Sequence, residues 1–283
     1  MKVYDILNAA KKKLIEKKID DYKSSAEVLL SAVLKVKRSK LALIRDIELA
    51  EEEKFLFNQY IQRRAKREPT AYILGSCEFM GFEFKVNENV LIPRQETELL
   101  VEEALAFCKG ISEPKALDLC AGCGCIAISL SKLGSFKDIC ASDISAQALD
   151  VAKENAKLNG AQNINFIQSD IFASFENKKF DIIVSNPPYV SQTEYETAEP
   201  ELKYEPQIAL TTGEDGLFFY IQIASQAKKY LNSGGQIFLE LNANKSKEIK
   251  SIFENAGYKN MRVVKDYCGL DRILICERKV IAC

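Results

Sequence analysis

The chain has 283 residues, enough for one substantial domain and a smaller second one. Hydrophobic residues form 47% of it and charged residues 28%, as in ordinary globular proteins, and no run approaches the ~20 apolar residues of a membrane helix. The chain has no histidine, which excludes Ser-His and Cys-His nucleophilic schemes. Because its beginning lacks a secretory signal pattern, we expect a cytoplasmic protein whose nine cysteines are free thiols.

Residues 1–76 are predicted to form a helical domain that docks the substrate. Apolar residues recur at helical spacing over 3–18, and further helices are predicted over 26–34, 41–47 and 51–67. Residues 1–70 hold 17 Lys+Arg and 11 Asp+Glu, a net charge of +6, so the remainder carries −7 of the total of −1. A basic module beside an acidic one predicts a macromolecular partner with a negative surface, although Lys11-Lys12-Lys13 alone is better interpreted as a solvated helix face.

Residues 77–93 are predicted to form a β-hairpin linker, and residues 94–283 a catalytic domain. In the linker, Phe82, Phe84 and Val86 alternate as in a strand, 87–89 suggests a turn, and 90–92 is the expected partner strand. The catalytic domain is predicted to begin with a helix over 97–109. Five parallel strands are then predicted near 115–120, 138–142, 164–168, 180–185 and 236–241, and an antiparallel pair at 260–265 and 272–276. This order predicts an α/β fold with a seven-stranded mixed sheet and right-handed helical crossovers.

A glycine-rich turn follows the first of these strands. Its residues are Cys120, Ala121, Gly122, Cys123 and Gly124. Glycines here let a ligand approach the backbone and let the next helix pack closely. The second strand ends at Asp143, 19 residues beyond Gly124, where an acid accepts hydrogen bonds from a ribose in nucleoside-binding α/β folds. The third strand ends in Asp170 and Ile171, which we expect to contact the amino group and ring of an adenine.

The fourth strand ends in the tetrad Asn186-Pro187-Pro188-Tyr189. The Asn side chain and the proline carbonyls offer acceptors that suit a planar NH2 group, and a tyrosine offers it a flat wall. We therefore predict that Asn186 and Pro187 are catalytic, that the whole tetrad binds substrate, and that Asn186 also borders the cofactor. The alternative is a simple turn, since Asn-Pro commonly marks one.

S-adenosylmethionine accounts for both sites, because it is a nucleoside whose sulfonium methyl can be aimed at an NH2 group. Such an in-line transfer depends mainly on positioning and desolvation. A dinucleotide is less suitable: the third glycine of G-x-G-x-x-G is absent, although Ala127 can substitute for it, and a dehydrogenase leaves the Asn186 tetrad unexplained. Cys120, Cys123 and Cys125 resemble a metal-ligand pattern but lack a fourth partner, so no metal is predicted.

These motifs together resemble the HemK/PrmC family, the glutamine N5-methyltransferases that modify peptide chain release factors. Residues 118–124 are similar to the family's D-L-G-T-G-T-G loop, with small residues in place of its first glycine and both threonines, and the tetrad at 186–189 matches without change. Residues 71–98 are similar to Y-I-L-G…E-F…L-I-P-R-x-x-T-E, and residues 266–272 to D-x-x-G-x-D-R.

The resemblance implies a class I, Rossmann-like methyltransferase fold and S-adenosyl-L-methionine as cofactor, with S-adenosyl-L-homocysteine as product. It also implies that the substrate is the glutamine of the Gly-Gly-Gln motif in release factors. We expect a monomer with no membrane partner and no direct DNA binding.

Three alternatives stay open at the level of sequence. A methyltransferase for a ribosomal-protein glutamine shares the tetrad. An amino-methylating DNA enzyme also acts on a planar NH2 group, but it needs a basic duplex-binding surface, which the acidic catalytic part does not offer. A non-catalytic RNA- or protein-binding module would not need an intact tetrad at Asn186.

Overall fold

The structure is a computed structural model that describes residues 1–278. The chain forms two compact units. One unit comprises Met1–Ser76 together with the short segment Glu199–Tyr204, and the other comprises Cys77–Ala198 and the chain from Glu205 onward. The inclusion of Glu199–Tyr204 in the N-terminal unit was not foreseen from the sequence.

The N-terminal unit is helical, as predicted. Its helices are α1 (Val3–Glu16), α2 (Tyr22–Val33), α3 (Glu51–Arg64) and α4 (Thr70–Leu74). Their apolar faces share one core, which contains Leu14, Leu29, Leu30, Phe57 and Ile61. Gly75 ends α4 in the left-handed conformation with φ +76°, the usual role of a glycine after a helix.

The prediction of a helix over 41–47 is wrong, because the segment forms turns. The Ile47 carbonyl accepts a hydrogen bond from the Val3 N–H at 2.9 Å, and the Arg45 carbonyl accepts one from the Tyr4 N–H at 3.0 Å. These two N–H groups belong to the first turn of α1 and have no partner within their own helix. A helix of barely two turns over 41–47 has little stability of its own, so its residues cap α1 instead.

The β-hairpin lies earlier in the chain than predicted. Its strands are β1 (Ser76–Phe79) and β2 (Phe82–Lys85). Met80 and Gly81 join them with φ +52° and +77°, the conformation of a two-residue type I′ turn. The expected turn at 87–89 is present, but the prediction of a partner strand over 90–92 is wrong. The backbone N–H of Ile92 donates to the Glu205 side chain at 2.9 Å, so it is not available for a strand ladder.

The second unit is built on a seven-stranded mixed sheet, which confirms the predicted fold class. The strands are β3 (Lys115–Leu119), β4 (Asp138–Asp143), β5 (Ile164–Gln168), β6 (Phe180–Ser185), β7 (Leu231–Glu240), β8 (Tyr258–Lys265) and β9 (Asp271–Arg278). Their order across the sheet is β5-β4-β3-β6-β7-β9-β8. The first five strands are parallel, and β9 runs antiparallel to both of its neighbours.

Helices complete this unit. They are α5 (Glu96–Cys108), α6 (Cys125–Leu133), α7 (Ala146–Asn159), α8 (Gln192–Thr197), α9 (Gln207–Leu210), α10 (Phe218–Gln226) and α11 (Ser246–Asn255). The central strands β3, β6 and β7 are buried over most of their length, as expected when both faces of a parallel sheet are covered. Within residues 1–278, no helix combines the length and the hydrophobicity that spanning a membrane requires.

Candidate active site

A pocket opens at the carboxyl ends of the parallel strands, where such sheets bind ligands. All of its lining residues belong to the second unit. Seven of the residues predicted from the sequence line it: Cys120, Gly122, Asp143, Asp170, Ile171, Asn186 and Pro188. The fold therefore brings together residues that follow four different strands.

The glycine-rich loop after β3 forms one wall of this pocket. Gly122 has φ +52°, and a Cβ added there would meet no protein atom within 4 Å, so a ligand can approach its backbone. A Cβ on Gly124 would lie 3.1 Å from the Ala152 Cβ, so this glycine permits close packing of α6 against α7. Ala121, Cys123 and Gly124 of the same loop are buried and do not line the pocket.

Burial disfavours the thiolate form of Cys120, the loop cysteine that lines the pocket. Burial is the largest cause that raises the pKa of Cys120 above its ordinary value, and the nearby Asp143 carboxylate raises it further. In the described part of the chain, no group of three or more potential ligand side chains is arranged to hold a metal ion.

Asp143, at the end of β4, holds the loop. Its Oδ2 accepts a hydrogen bond from the Gly122 N–H at 2.9 Å, and its Oδ1 accepts one from the Ser145 N–H at 2.9 Å. Burial raises the pKa of Asp143, and these backbone hydrogen bonds only partly oppose that effect. A carboxylate offers about four acceptor positions, so Asp143 keeps capacity for the hydroxyl groups of a ligand.

The pocket lining fits S-adenosylmethionine. Apolar side chains, among them Ile144, Ile171 and Phe219, offer surfaces for a flat ring, and the carboxylates of Asp143 and Asp170 offer acceptors for hydroxyl and amino groups. Among the described lining residues there is no lysine or arginine. Two carboxylates without a basic partner attract a cationic ligand and repel a diphosphate, which favours a sulfonium nucleoside over a dinucleotide.

The tetrad begins directly after β6. Asn186 is half-buried, and its Nδ2 donates a hydrogen bond to the Thr97 Oγ1 at 3.2 Å. Pro187 and Pro188 are buried, and Pro188 lines the pocket together with Asn186. Pro187 and Tyr189 do not line it; the Tyr189 hydroxyl instead donates to the Glu240 Oε1 at 2.9 Å.

Sequence reasoning missed Thr97 and Glu240, which lie behind the tetrad. The Thr97 hydroxyl donates to the Glu240 Oε2 at 2.5 Å, and the two side chains are only 2% and 1% exposed. Burial raises the pKa of Glu240, although its hydrogen bonds with Thr97 and Tyr189 and the charge of Arg272 oppose the shift. The sequence offered one signal for Glu240, an acidic residue at the end of the apolar strand β7. A carboxylate buried with its strand needs hydrogen-bond partners, so such a residue predicts a polar contact in the core.

Glu205 is a second residue that sequence reasoning missed. It is 5% exposed, and its Oε1 accepts a hydrogen bond from the Arg94 Nη2 at 2.5 Å while its Oε2 accepts one from the Ile92 N–H at 2.9 Å. Residues 89–91 and 208–209, which flank these two attachment points in sequence, line the pocket. Glu205 therefore ties together two stretches of the pocket wall that are distant in sequence.

Two family models match the chain: the PrmC N-terminal domain over residues 5–75 and the methyltransferase small domain over residues 95–213. A solved methyltransferase structure from Pyrococcus furiosus is similar, with a TM-score of 0.52 and 19% identity over 71% of this chain and 91% of that chain. The fold and the pocket thus define a class I methyltransferase that carries a small helical domain at its N-terminus.

Relatives in sequence narrow this class. A release factor glutamine methyltransferase from Fusobacterium nucleatum is 38% identical over 99% of this chain and 84% of its own length. Another from Clostridium acetobutylicum is 38% identical over 98% of this chain and 99% of its own length. The chain therefore belongs to the release factor glutamine methyltransferase family.

Proposed function

We propose that this protein transfers the methyl group of S-adenosylmethionine to the side-chain amide nitrogen, N5, of the Gly-Gly-Gln glutamine in peptide chain release factors. The observation that carries this proposal is the position of Asn186, which borders the same pocket as Gly122 and Asp143. A group that binds amides thus lies beside a site suited to a nucleoside. The names of the relatives supply the class of substrate.

Each cofactor contact follows from the chemistry of the pocket residues. The Asp143 carboxylate accepts hydrogen bonds from the ribose hydroxyls, and the Asp170 carboxylate accepts one from the adenine amino group. Ile171 packs on the ring, and the bare backbone of Gly122 allows the cofactor's amino-acid chain to pass closely. When bound, S-adenosylmethionine supplies an electrophilic methyl group on a positively charged sulfur, and S-adenosylhomocysteine is released as product.

The tetrad orients the nucleophile. A glutamine amide nitrogen is weakly nucleophilic, because its lone pair is delocalised into its carbonyl group. The Asn186 Oδ1 and the Pro187 carbonyl accept its two N–H bonds, which aims the nitrogen and stabilises positive charge developing on it. One N–C bond forms as the S–C bond breaks, and a proton of the nitrogen leaves to water during or after transfer. Tyr189 packs against the planar amide.

The substrate is a protein, and the N-terminal helical unit offers it a basic surface. Lys12, Lys13 and Lys17 are exposed on or next to α1. Residues 1–70 carry a net charge of +6, which attracts an acidic surface of the release factor over the range of a Debye length. Because release factors work in translation, we also propose a cytoplasmic location for the enzyme.

The test is to incubate the enzyme with labelled S-adenosylmethionine and a purified release factor, and to map the methylated residue by mass spectrometry. We expect label on the Gly-Gly-Gln glutamine, and none on a release factor in which that glutamine is replaced by alanine. Parallel incubations contain isolated ribosomal proteins or duplex DNA. Labelling of either of these, with the release factor left unlabelled, would overturn the proposed substrate.

A further inference from the structure

The hydrogen bonds behind the tetrad run in one direction. When the Glu240 carboxyl is ionised it can only accept, so Thr97 donates its single hydroxyl proton to the Glu240 Oε2 at 2.5 Å. The Thr97 Oγ1 then serves Asn186 as an acceptor, and the group that faces it at 3.2 Å is the Asn186 NH2. With its NH2 group bound in this way, the Asn186 carboxamide presents its oxygen on the opposite side.

We propose that Thr97 and Glu240 are positioning residues that hold the Asn186 carboxamide with its oxygen toward the substrate amide. This inference rests on the function proposed above, in which that oxygen accepts a substrate N–H. The two orientations of a carboxamide have nearly the same shape, so packing alone does not choose between them. The reversed orientation would set the Asn186 NH2 against the substrate NH2, two donors with no acceptor between them.

Glu240 anchors both ends of the tetrad. Through Thr97 it orients Asn186, and directly it accepts the Tyr189 hydroxyl at 2.9 Å. Its own backbone carbonyl accepts the Tyr220 hydroxyl at 2.9 Å, which adds an attachment between β7 and α10. A residue tied to a strand, to two helices and to the tetrad is well placed to fix the geometry of a site.

The chain of hydrogen bonds from Asn186 through Thr97 to Glu240, called the relay below, also depends on the protonation state of Glu240. The charged and titratable groups around the Glu240 carboxyl are Tyr189 after β6, Tyr220 on α10, Glu96 on α5 and Arg272 on β9. Burial raises the pKa of Glu240, with Glu96 adding to the shift and Arg272 opposing it. A protonated Glu240 can donate to Thr97, which frees the Thr97 hydroxyl to donate toward Asn186 and reverses the relay. Activity should therefore fall as pH falls through this raised pKa.

The experiment compares Thr97→Val with Thr97→Ser in the full-length enzyme. Valine keeps the shape of threonine without the hydroxyl, whereas serine keeps the hydroxyl. We expect Thr97→Val to lower kcat about 10- to 100-fold, the effect of misaligning a reacting group, and Thr97→Ser to restore most of it. The cofactor Kd should stay close to the wild-type value for both variants, and the unfolding temperature should fall for Thr97→Val alone, because Glu240 loses a buried hydrogen-bond donor.

A double-mutant cycle separates positioning from a structural role. If Thr97 acts through Asn186, Thr97→Val should lower kcat no further once Asn186→Ala is present. Glu240→Gln provides an independent measurement, because it should lower kcat and abolish the acidic limb of the kcat–pH profile while the cofactor Kd is retained.

Two results would overturn the inference: wild-type kcat in folded Thr97→Val, or the same loss from Thr97→Val with and without Asn186. Either result would leave the proposed function intact. A wild-type enzyme that does not methylate the release factor would instead reject the proposed function itself.

Discussion

Replacing Asp143 should weaken cofactor binding much more than it destabilises the fold. Asp143→Ala removes the acceptor for the ribose hydroxyls and also leaves the N–H groups of Gly122 and Ser145, both at 2.9 Å, without their carboxylate. A hydrogen bond to a charged group contributes about 1.5–3 kcal/mol. At about 1.4 kcal/mol for each factor of ten, the Kd for S-adenosylmethionine should rise about 10- to 150-fold.

The free energy of unfolding should respond less. Burial raises the pKa of Asp143 in spite of its two backbone hydrogen bonds, so the folded protein disfavours the ionised form relative to water. Replacing the charge therefore removes a desolvation penalty together with the hydrogen bonds. For Asp143→Asn, which keeps the shape and one acceptor, we expect a change of about 1 kcal/mol or less.

The pH dependence has opposite signs for binding and stability. Because the pKa of folded Asp143 is raised, its contribution to cofactor binding is present above that pKa and is lost as pH falls through it. The contribution of the same group to stability is present below the pKa of an unfolded Asp and is lost as pH rises through the folded pKa. Asp143→Asn should remove both pH dependences.

Titration calorimetry from pH 7 downward, alongside thermal unfolding, measures these effects. NAD serves as a negative ligand, since the described lining of the pocket has no basic side chain to hold a diphosphate. An unchanged Kd for S-adenosylmethionine in a folded Asp143→Ala variant would refute the assignment of Asp143 to the ribose.

Three further predictions concern other parts of the molecule. Asn186→Ala should lower kcat about 10²- to 10³-fold through loss of a charge-stabilising contact, with the cofactor Kd nearly unchanged in calorimetry. Lys12→Glu combined with Lys13→Glu should slow association with the release factor, most strongly at low salt, in stopped-flow measurements. Arg64→Met should destabilise the protein by about 1–2 kcal/mol in urea unfolding, because it removes the buried guanidinium that bonds Asp21 at 2.7 Å and Glu201 at 3.1 Å, while Arg67 still pairs with Glu201.

Each of these predictions has a control and a contrary outcome. For Asn186, the control is a folded Asn186→Asp variant, which keeps an acceptor of similar shape but adds a charge near the sulfonium. If Asn186→Ala turns over at the wild-type rate, the tetrad is a simple turn. Lysine variants that associate with the release factor as fast as the wild-type enzyme at low salt would reject docking through α1. Arg45→Met, which removes an exposed ion pair with Asp46, should change stability by less than about 0.5 kcal/mol. If Arg64→Met lowers the free energy of unfolding no more than this control does, the ion pairs of Arg64 do not stabilise the protein.

The local features of the catalytic unit were predictable from the sequence, because each depends on neighbouring residues. Apolar runs located the strands of the sheet to within a few residues, and β5 and β6 coincide with the predicted 164–168 and 180–185. Parallel strands share one carboxyl edge, so the residues after them, such as Gly122, Asp143 and Asn186, meet at the pocket. A residue type and its position after a strand were sufficient for that prediction.

The segments whose structure depends on distant partners were not predictable in this way. Periodicity suggested a helix over 41–47, but the N–H groups of α1 bind its carbonyls. Alternation suggested a strand over 90–92, but Glu205, more than a hundred residues later, binds the Ile92 N–H. Short segments have little intrinsic preference, so a single tertiary hydrogen bond is enough to decide between two conformations.

The sequence by itself determined the class of enzyme and the residues after four strands that line the pocket, because each of them lies in a short motif beside a strand. That the tetrad binds an amide stays a prediction. Only the tertiary structure brought Thr97 from α5 and Glu240 from β7 behind Asn186. It likewise placed the segment Glu199–Tyr204 in the helical unit, where Glu201 pairs with Arg64. Such partners are far apart in the chain, and a hydrogen-bond donor or acceptor leaves no periodic pattern that would identify its distant partner.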